Sequence, residues 1–353
     1  MKIFAFFLPQ FHEIPENNKW HGNGFTEWTH VKAARPLYRG HQQPKHPKND
    51  NYYNLLDKET VLEQTKLAAD YRVDGFIYYH YWFNGKLLME KPAENLLEWK
   101  DIPQKFFFCW ANHSFEKKWD GSNQMLQDQT YGKLEDWKKH FNYLLPFFKD
   151  YRYEKVDNKP IFMLYVPDFR EKEEMFHYFD DWCRENGFDG LFLIDVYKCA
   201  INKIPLEKGN ALVQMPSAAT AEYSIQNPIK CRIDNLEHKI LKAIGLNNKK
   251  RYNSPSSDRL YKSLMKSVVH RDNLFYSLFF EWDNTPRYGK AGNVIEPLSK
   301  DMFFRYMDLM LNEKYIFINA WNEWAEGMML EPSKEIGDKY LSWIKEWRDT
   351  RHR

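Results

Sequence analysis

Two glutamates three residues apart, Glu323 and Glu326, stand in Trp321-Asn322-Glu323-Trp324-Ala325-Glu326-Gly327, directly after the apolar run Tyr315-Ile316-Phe317-Ile318-Asn319-Ala320. Carboxylates move protons at oxygen, and indole faces cover the apolar C–H faces of a pyranose, so the combination suits chemistry on a sugar. An ordinary pair of acids in the first turn of a helix, favoured by its dipole, is the plain alternative. The run upstream weighs against it, because it sets both acids where a buried strand surfaces.

Seven more runs of aromatic and β-branched residues resemble that one, at 2–8, 73–79, 105–110, 160–166, 190–196, 211–215 and 274–280. With 315–320 they make eight, the number that closes a parallel barrel. Helical stripes lie between most of them. Leu134, Trp137, Phe141, Leu144, Leu145 and Phe148 form one; Phe303, Tyr306, Met307, Met310 and Leu311 form another; Ile336, Tyr340, Ile344 and Trp347 form the last. Nearly continuous apolar strands alternating with helices mean a parallel sheet covered on both faces. The expected fold is a single (β/α)8 TIM barrel over residues 1–353. A doubly wound open sheet is the runner-up, but no glycine fingerprint follows the first strand; Gly22-Asn23-Gly24 lies downstream and lacks a third glycine. Long connections are expected after strands one, three and six, and loops of that length in compact domains are usually functional or disordered. The first two are rich in Trp, Tyr, His and Pro and read as ordered lids. The third holds Asn247-Asn248-Lys249-Lys250-Arg251, read as a solvated surface.

Composition narrows the function. The net charge of +2 comes from dispersed basic residues, which argues against a nucleic-acid partner. A mean hydropathy of −0.73 and uniformly short apolar runs argue against membrane insertion by a helix. Met1 to Leu8 has one cation, too short an apolar stretch and Pro9-Gln10-Phe11-His12 in place of a cleavage site, so it reads as a strand and not a signal sequence. Cys109, Cys183, Cys199 and Cys231 show neither CxxC spacing nor a disulfide framework, and a reduced cytoplasmic location is expected. Aromatics at 17% exceed what packing requires, and many fall outside the apolar runs, pointing to a stacking surface.

In a β/α barrel the strand exits converge on one face. Here the first offers Gln10, Phe11 and His12, with Glu27 and Trp28 further on; the second offers Tyr78-Tyr79-His80-Tyr81-Trp82. The third gives Trp110, Asn112, His113 and Trp119-Asp120-Gly121, and the seventh gives Glu281-Trp282-Asp283-Asn284-Thr285-Pro286-Arg287. Strands four to six offer chiefly Tyr165, Asp195 and Gln214. Singly, each has a bland explanation: His80 as a packed histidine, Trp110 as the top of the core, Asp283 with Arg287 as a turn clamp. Jointly they describe a concave site of indoles, amides and acids. His12, His80 and His113 never show HxxxH or HExxH spacing and no EF-hand-like loop exists, so neither a metal nor another cofactor is expected. Glu281-Trp282-Asp283 is a weak match to the acidic triplet that holds a divalent ion in many sugar-nucleotide transferases.

Four motifs carry a resemblance. Gly24-Phe25-Thr26-Glu27-Trp28-Thr29, Tyr78 to Lys86, Trp282-Asp283-Asn284-Thr285-Pro286-Arg287 and Trp321 to Gly327 look like the WbsX-type family of bacterial polysaccharide-locus proteins. That family was named as glycosyltransferases of lipopolysaccharide and capsule clusters. It is related to the endo-α-mannosidases and endomannanases of glycoside hydrolase family 99. The resemblance implies a (β/α)8 barrel and, in the hydrolase branch, retaining cleavage of an α-mannosidic-type bond. There the residue matching Glu323 deprotonates the substrate 2-hydroxyl, whose oxygen attacks the anomeric carbon. The residue matching Glu326 protonates the leaving oxygen and then activates water. One departure stands out: where most relatives carry an acid after the asparagine this chain has His113, and two arginines have become Lys117 and Lys118.

The expectation is therefore a carbohydrate-active enzyme acting on an α-linked glycan of a surface polysaccharide, by retaining hydrolysis or transglycosylation. Glu323 is assigned as base and Glu326 as acid. Gln10, Glu27, His80, Asn112, Trp282, Asp283, Arg287 and Asn322 are expected to orient hydroxyls, with Trp28, Trp82, Trp110 and Trp324 walling the subsites. A glycosyltransferase using an activated sugar donor is the alternative, and a non-catalytic glycan-binding protein the third.

Overall fold

A computed structural model describes residues 1–117, 124–246 and 255–351. Lys118, Trp119-Asp120-Gly121 and Asn247 to Arg251, all named above, lie outside the described residues. Eight parallel strands are paired in chain order: β1 (Lys2–Phe7), β2 (Gly75–Phe83), β3 (Lys105–Trp110), β4 (Lys159–Leu164), β5 (Phe192–Tyr197), β6 (Asn210–Val213), β7 (Leu274–Leu278) and β8 (Tyr315–Ile318). β8 pairs back onto β1 with Phe4 opposite Phe317, and β1 pairs β2 with Phe4 opposite Gly75, so the sheet closes. This is the expected (β/α)8 barrel.

The pleat decides what each face does. Inward, Phe4 meets Phe107 at 5.1 Å between ring centroids, Phe107 meets Phe317 at 6.0 Å, and Phe317 meets Phe275 at 6.0 Å. All four rings are buried, each stabilising the fold by about 1.5–3 kcal/mol. Gly75 is glycine for a reason of space: the Phe4 ring and the Lys105 carbonyl occupy the volume a side chain would need. Outward, Phe7 packs against Phe76 and Tyr78 of β2 under the helical layer.

That layer contains α1 (Pro15–His21), α2 (Glu27–Ala33) and α3 (Lys58–Asp70) after β1, then α4 (Lys91–Glu98), α5 (Leu134–Lys149) and α6 (Lys172–Glu185). α7 (Ser217–Gln226), α8 (Pro228–Ala243) and α9 (Ser257–Ser267) follow β6; α10 (Thr285–Tyr288) and α11 (Lys300–Leu309) follow β7; α12 (Lys339–Arg351) closes the chain. The β5–β6 connection has only single-turn 3-10 helices at Ile201–Lys203 and Leu206–Lys208. α5 buries Trp137, Phe141, Leu144 and Phe148 as its period predicts, while Leu134, at its first residue, stays 40% exposed. The connections after β1 and β6 carry helices, and the one after β3 carries an antiparallel pair, Phe115–Lys117 with Gln124–Gln127. No helix among the described residues is long and apolar enough to cross a membrane.

One boundary matters for the site. The second strand runs to Phe83, four residues beyond the expected end, so Tyr78-Tyr79-His80-Tyr81-Trp82 is strand and not exit loop. Its side chains must then alternate between the two faces of the barrel wall.

Candidate active site

Beyond β8 the chain folds into a small hairpin, Asn322-Glu323 pairing antiparallel with Met328-Met329 around one 3-10 turn at Trp324–Glu326. Glu323, the last residue before the turn, and Glu326, its last residue, bracket it. Gly327 ends the turn at φ 64°, and a Cβ there would lie 3.1 Å from the backbone nitrogen of Asp283. Glycine lets the turn close against the β7 exit.

Arg287, on α10, joins the acids. Its Nη1 donates to Glu326 Oε1 at 2.5 Å, and its Nη2 donates to Glu323 Oε2 at 3.0 Å and Glu27 Oε1 at 2.7 Å. Trp282 Nε1 donates to Glu326 Oε2 at 3.0 Å. Three carboxylates from the exits of β1 and β8 thus share one guanidinium from the exit of β7. Burial pushes Glu323 up to about 8; Arg287 pulls it back, while Glu326 and Glu27 push it further up. Burial also opposes the charge on Arg287, but Glu27, Glu326 and Glu323 outweigh it and hold the guanidinium firmly protonated.

Beside this cluster opens a cleft of about 240 Å³, lined by Gln10, Trp20, Glu27, His30, His113, Phe115 and Arg287 among others. It is smaller than the roughly 300–1,000 Å³ of drug-sized ligand sites and suits a small unit of a larger ligand. Burial lowers the His30 imidazole, with Glu27 opposing and Arg287 adding to the effect. The inner faces of β2 and β4 contribute phenols. Tyr79 lies 5.5 Å from Phe6 and 6.0 Å from Tyr165, and burial raises Tyr79, Tyr81 and Tyr165, with the Glu323 charge adding to each. They remain neutral donors next to the acids. The His113 ring is 5.5 Å from Tyr165, and Lys198 Nζ lies 3.2 Å over the same ring, its pKa brought down to about 8 by burial.

Of the residues expected at the site, Gln10, Glu27, Trp282, Arg287, Glu323 and Glu326 come together there. The others do not. His80 and Trp82 point outward from β2 into α5: His80 Nε2 and His140 Nε2 are hydrogen bonded at 2.8 Å, and Trp82 stacks on His140 at 4.6 Å with planes 3° apart. Burial pulls His80 down to about 3, so it is a neutral packing residue. Trp110 is on the same outer layer, donating to Trp82 O at 3.0 Å. Asn112 ties two loops, donating to Val166 O and accepting from Val166 N. Asn322 does the same for β1, with Leu8 N donating to its Oδ1 at 2.7 Å and its Nδ2 donating to Leu8 O at 3.0 Å. Trp28 donates to Tyr53 O and Trp324 donates to Glu331 Oε2, their rings 5.4 Å apart in the core. Asp283 is the turn clamp: His41 and Gln43 bind its Oδ2, and Thr285 donates to its Oδ1 from both backbone and hydroxyl. Asp195 pairs outward with Lys172 of α6.

Sequence reasoning named Tyr81 without giving it a role, and missed His41, Gln43 and Glu331. The period of β2 would have placed Tyr81 had the strand been drawn to Phe83. His41 and Gln43 carry no local signal, since their role depends on contact with a residue some 240 positions away. Glu331 accepts from Trp324, Tyr53 and Gln64 in a buried pocket, and burial lifts it to about 7. The Glu281-Trp282-Asp283 triplet does not act together: Glu281 binds Lys45 Nζ at 2.9 Å and accepts from Tyr340, while Asp283 is committed as above.

The chain is 30% identical to WxcX of Xanthomonas campestris pv. campestris, described as uncharacterized, in each of two strains, over 96% of its own length. It spans about half, 48%, of those relatives. Among solved structures, the GH99 endo-α-mannosidase of Bacteroides thetaiotaomicron superposes with a TM-score of 0.58 at 14% identity, covering 99% of this chain and 96% of the other. A glycoside hydrolase-like protein superposes with 0.59 at 12% identity, over 98% and 93%. At such identities the likeness is one of fold. The family model of the WbsX glycosyltransferases matches residues 3–344, and the chain belongs to that family.

Proposed function

We propose that the chain is a carbohydrate-active enzyme that opens an α-linked, mannose-like glycosidic bond with retention, Glu323 serving as base at the 2-hydroxyl and Glu326 as acid at the leaving oxygen. The observation that carries this reading is the pair of acids bracketing one 3-10 turn, bridged by Arg287 at the mouth of a GH99-like barrel. Glu323 takes the 2-hydroxyl proton as O2 bonds to the anomeric carbon; the glycosidic bond breaks, and its oxygen takes the proton of Glu326. Water, deprotonated by Glu326, then opens the 1,2-anhydro ring, and Glu323 returns the proton to O2. One proton must be shared by the two acids throughout; burial favours it on Glu323, so it must pass to Glu326 as substrate binds, before the 2-hydroxyl gives up its own. No protein nucleophile is required, unlike the common two-carboxylate scheme. Arg287 positions both acids, and Tyr79, Tyr81 and Tyr165 supply neutral donors for hydroxyls.

Transfer from an activated donor is the second reading, favoured by the family's description. The dispersed bonding of Glu281 and Asp283 weighs against a metal-diphosphate site at that triplet. Incubation with α-linked mannooligosaccharides, with and without nucleotide sugars and Mg²⁺, separates the two. Donor-independent cleavage that Glu326→Gln lowers by about 10²–10⁴-fold supports the first. Product formed only with a nucleotide sugar, or turnover unchanged in Glu326→Gln, overturns it.

A further inference from the structure

Half of the large apolar side chains exposed among the described residues fall in one short stretch, from Ile225 to Leu246. Within and just past α8, Ile229 is 74% exposed, Ile233 61%, Leu236 59%, Ile240 52% and Ile244 66%. Their spacing of four, three, four and four residues puts all five on one stripe. At 1.5 Å per residue that stripe is about 22 Å long. Leu241 alone in α8 is buried. A helix on a soluble barrel ordinarily turns its apolar face to the core; this one turns it to the outside.

One flank of the stripe is basic and the other mixed. Lys230, Arg232, Lys239 and Lys242 lie on α8, with Asp234 and Glu237 its acids. Four cations stand against two acids on α8, whereas the rest of the chain balances at 47 against 47. Arg232 and Lys239, seven residues apart and thus on one side of the helix, border the isoleucines where long stems extend along an apolar surface and carry their charge outward.

We propose that α8 is an interfacial helix that seats the protein on an anionic lipid bilayer. Its isoleucine and leucine side chains enter the boundary between headgroups and acyl chains, and its lysines and arginines meet the lipid phosphates. The helix lies in the plane of the surface; it is too short and too polar to cross. A second copy of the chain would set the same basic excess against itself, whereas an anionic surface complements it. The role of α8 is independent of the acids at the barrel mouth and stands whichever reaction they perform.

Co-sedimentation of the full chain with vesicles tests this. Vesicles of phosphatidylcholine with about 30% phosphatidylglycerol should pellet the protein at least ~10-fold better than phosphatidylcholine alone, and about 0.5 M NaCl should abolish most of the difference. Ile233→Glu with Leu236→Glu alters exposed positions, so the melting temperature should hold while pelleting falls by ~10-fold or more. Arg232→Gln with Lys239→Gln should lower it several-fold on the anionic vesicles. No pelleting with the anionic vesicles, or pelleting that Ile233→Glu/Leu236→Glu leaves unchanged, overturns the proposal. So does a dimer in sedimentation velocity that the same double variant dissociates while lipid binding is absent, since the stripe is then a contact between copies.

Discussion

Glu323→Gln should change how stability depends on pH, and this needs no substrate to measure. The carboxyl is pushed from an ordinary 4.5 up to about 8, chiefly by burial. The folded state therefore holds this proton more tightly than the unfolded chain does. Its stabilising contribution is complete below about pH 4.5 and is lost as pH rises through about 8. The gap between those values corresponds to about 5 kcal/mol. The Arg287 guanidinium, 3.0 Å from Glu323 Oε2, offsets part of the cost of the new charge, which leaves about 2–3 kcal/mol. For a chain of 353 residues that is a melting shift of about 3–4 °C. Glutamine has no proton to lose, so the variant's melting temperature should gain about that much on the wild type between pH 5 and pH 9 by calorimetry. Glu331, raised to about 7, slopes both curves in the same direction, so the difference between them is the measure. A difference that stays constant within about 1 °C across this range would show Glu323 ionised throughout and refute the reasoning from burial.

The same proton limits turnover: glycan cleavage should fall as pH rises through about 8, and a rate still climbing at pH 9 would deny the acid pair its shared proton. Asp283→Ala leaves His41, Gln43 and Thr285 without their acceptor inside the fold and should cost about 2–4 kcal/mol in urea unfolding; a loss under 1 kcal/mol would demote the clamp. Tyr81→Phe, on the inner face of β2, should weaken glycan binding ~5-fold or more in calorimetric titration, whereas Trp82→Phe, on the outer face, should lower the melting temperature and leave affinity unchanged. The reverse pattern would contradict the strand's assigned parity.

The barrel was legible because its strands are nearly continuous apolar runs, and eight such runs admit few architectures. The acids at the end of β8 were legible for the same reason: a run that ends abruptly in carboxylates marks the mouth. What failed was direction. His80 and Trp82 were assigned to the site from a motif drawn as a loop, yet a strand running to Phe83 sends alternate residues to opposite walls, and Tyr79 and Tyr81 took the inner one. The tryptophans suggested a stacking surface, but Trp28, Trp82, Trp110 and Trp324 are all buried, and the indole N–H groups of Trp28, Trp110 and Trp324 are spent on neighbours. Composition reports how many rings a chain owns, not whether they meet solvent. The bridge from Arg287 to three acids brings together positions 27, 287, 323 and 326, and only the closed sheet sets these side by side.

The rings inside the barrel have a consequence for anything that docks at its mouth. Phe4, Phe107, Phe275 and Phe317 stopper the axis, with Tyr79 and Tyr165 above them. A polymer cannot thread downward through such a plug, so if one unit sat in the cleft the rest would have to travel sideways over the rim. Extension of the ligand in either direction is then governed by the rim loops alone, and exchanging those loops would alter which chain lengths are accepted while the strands beneath stay as they are.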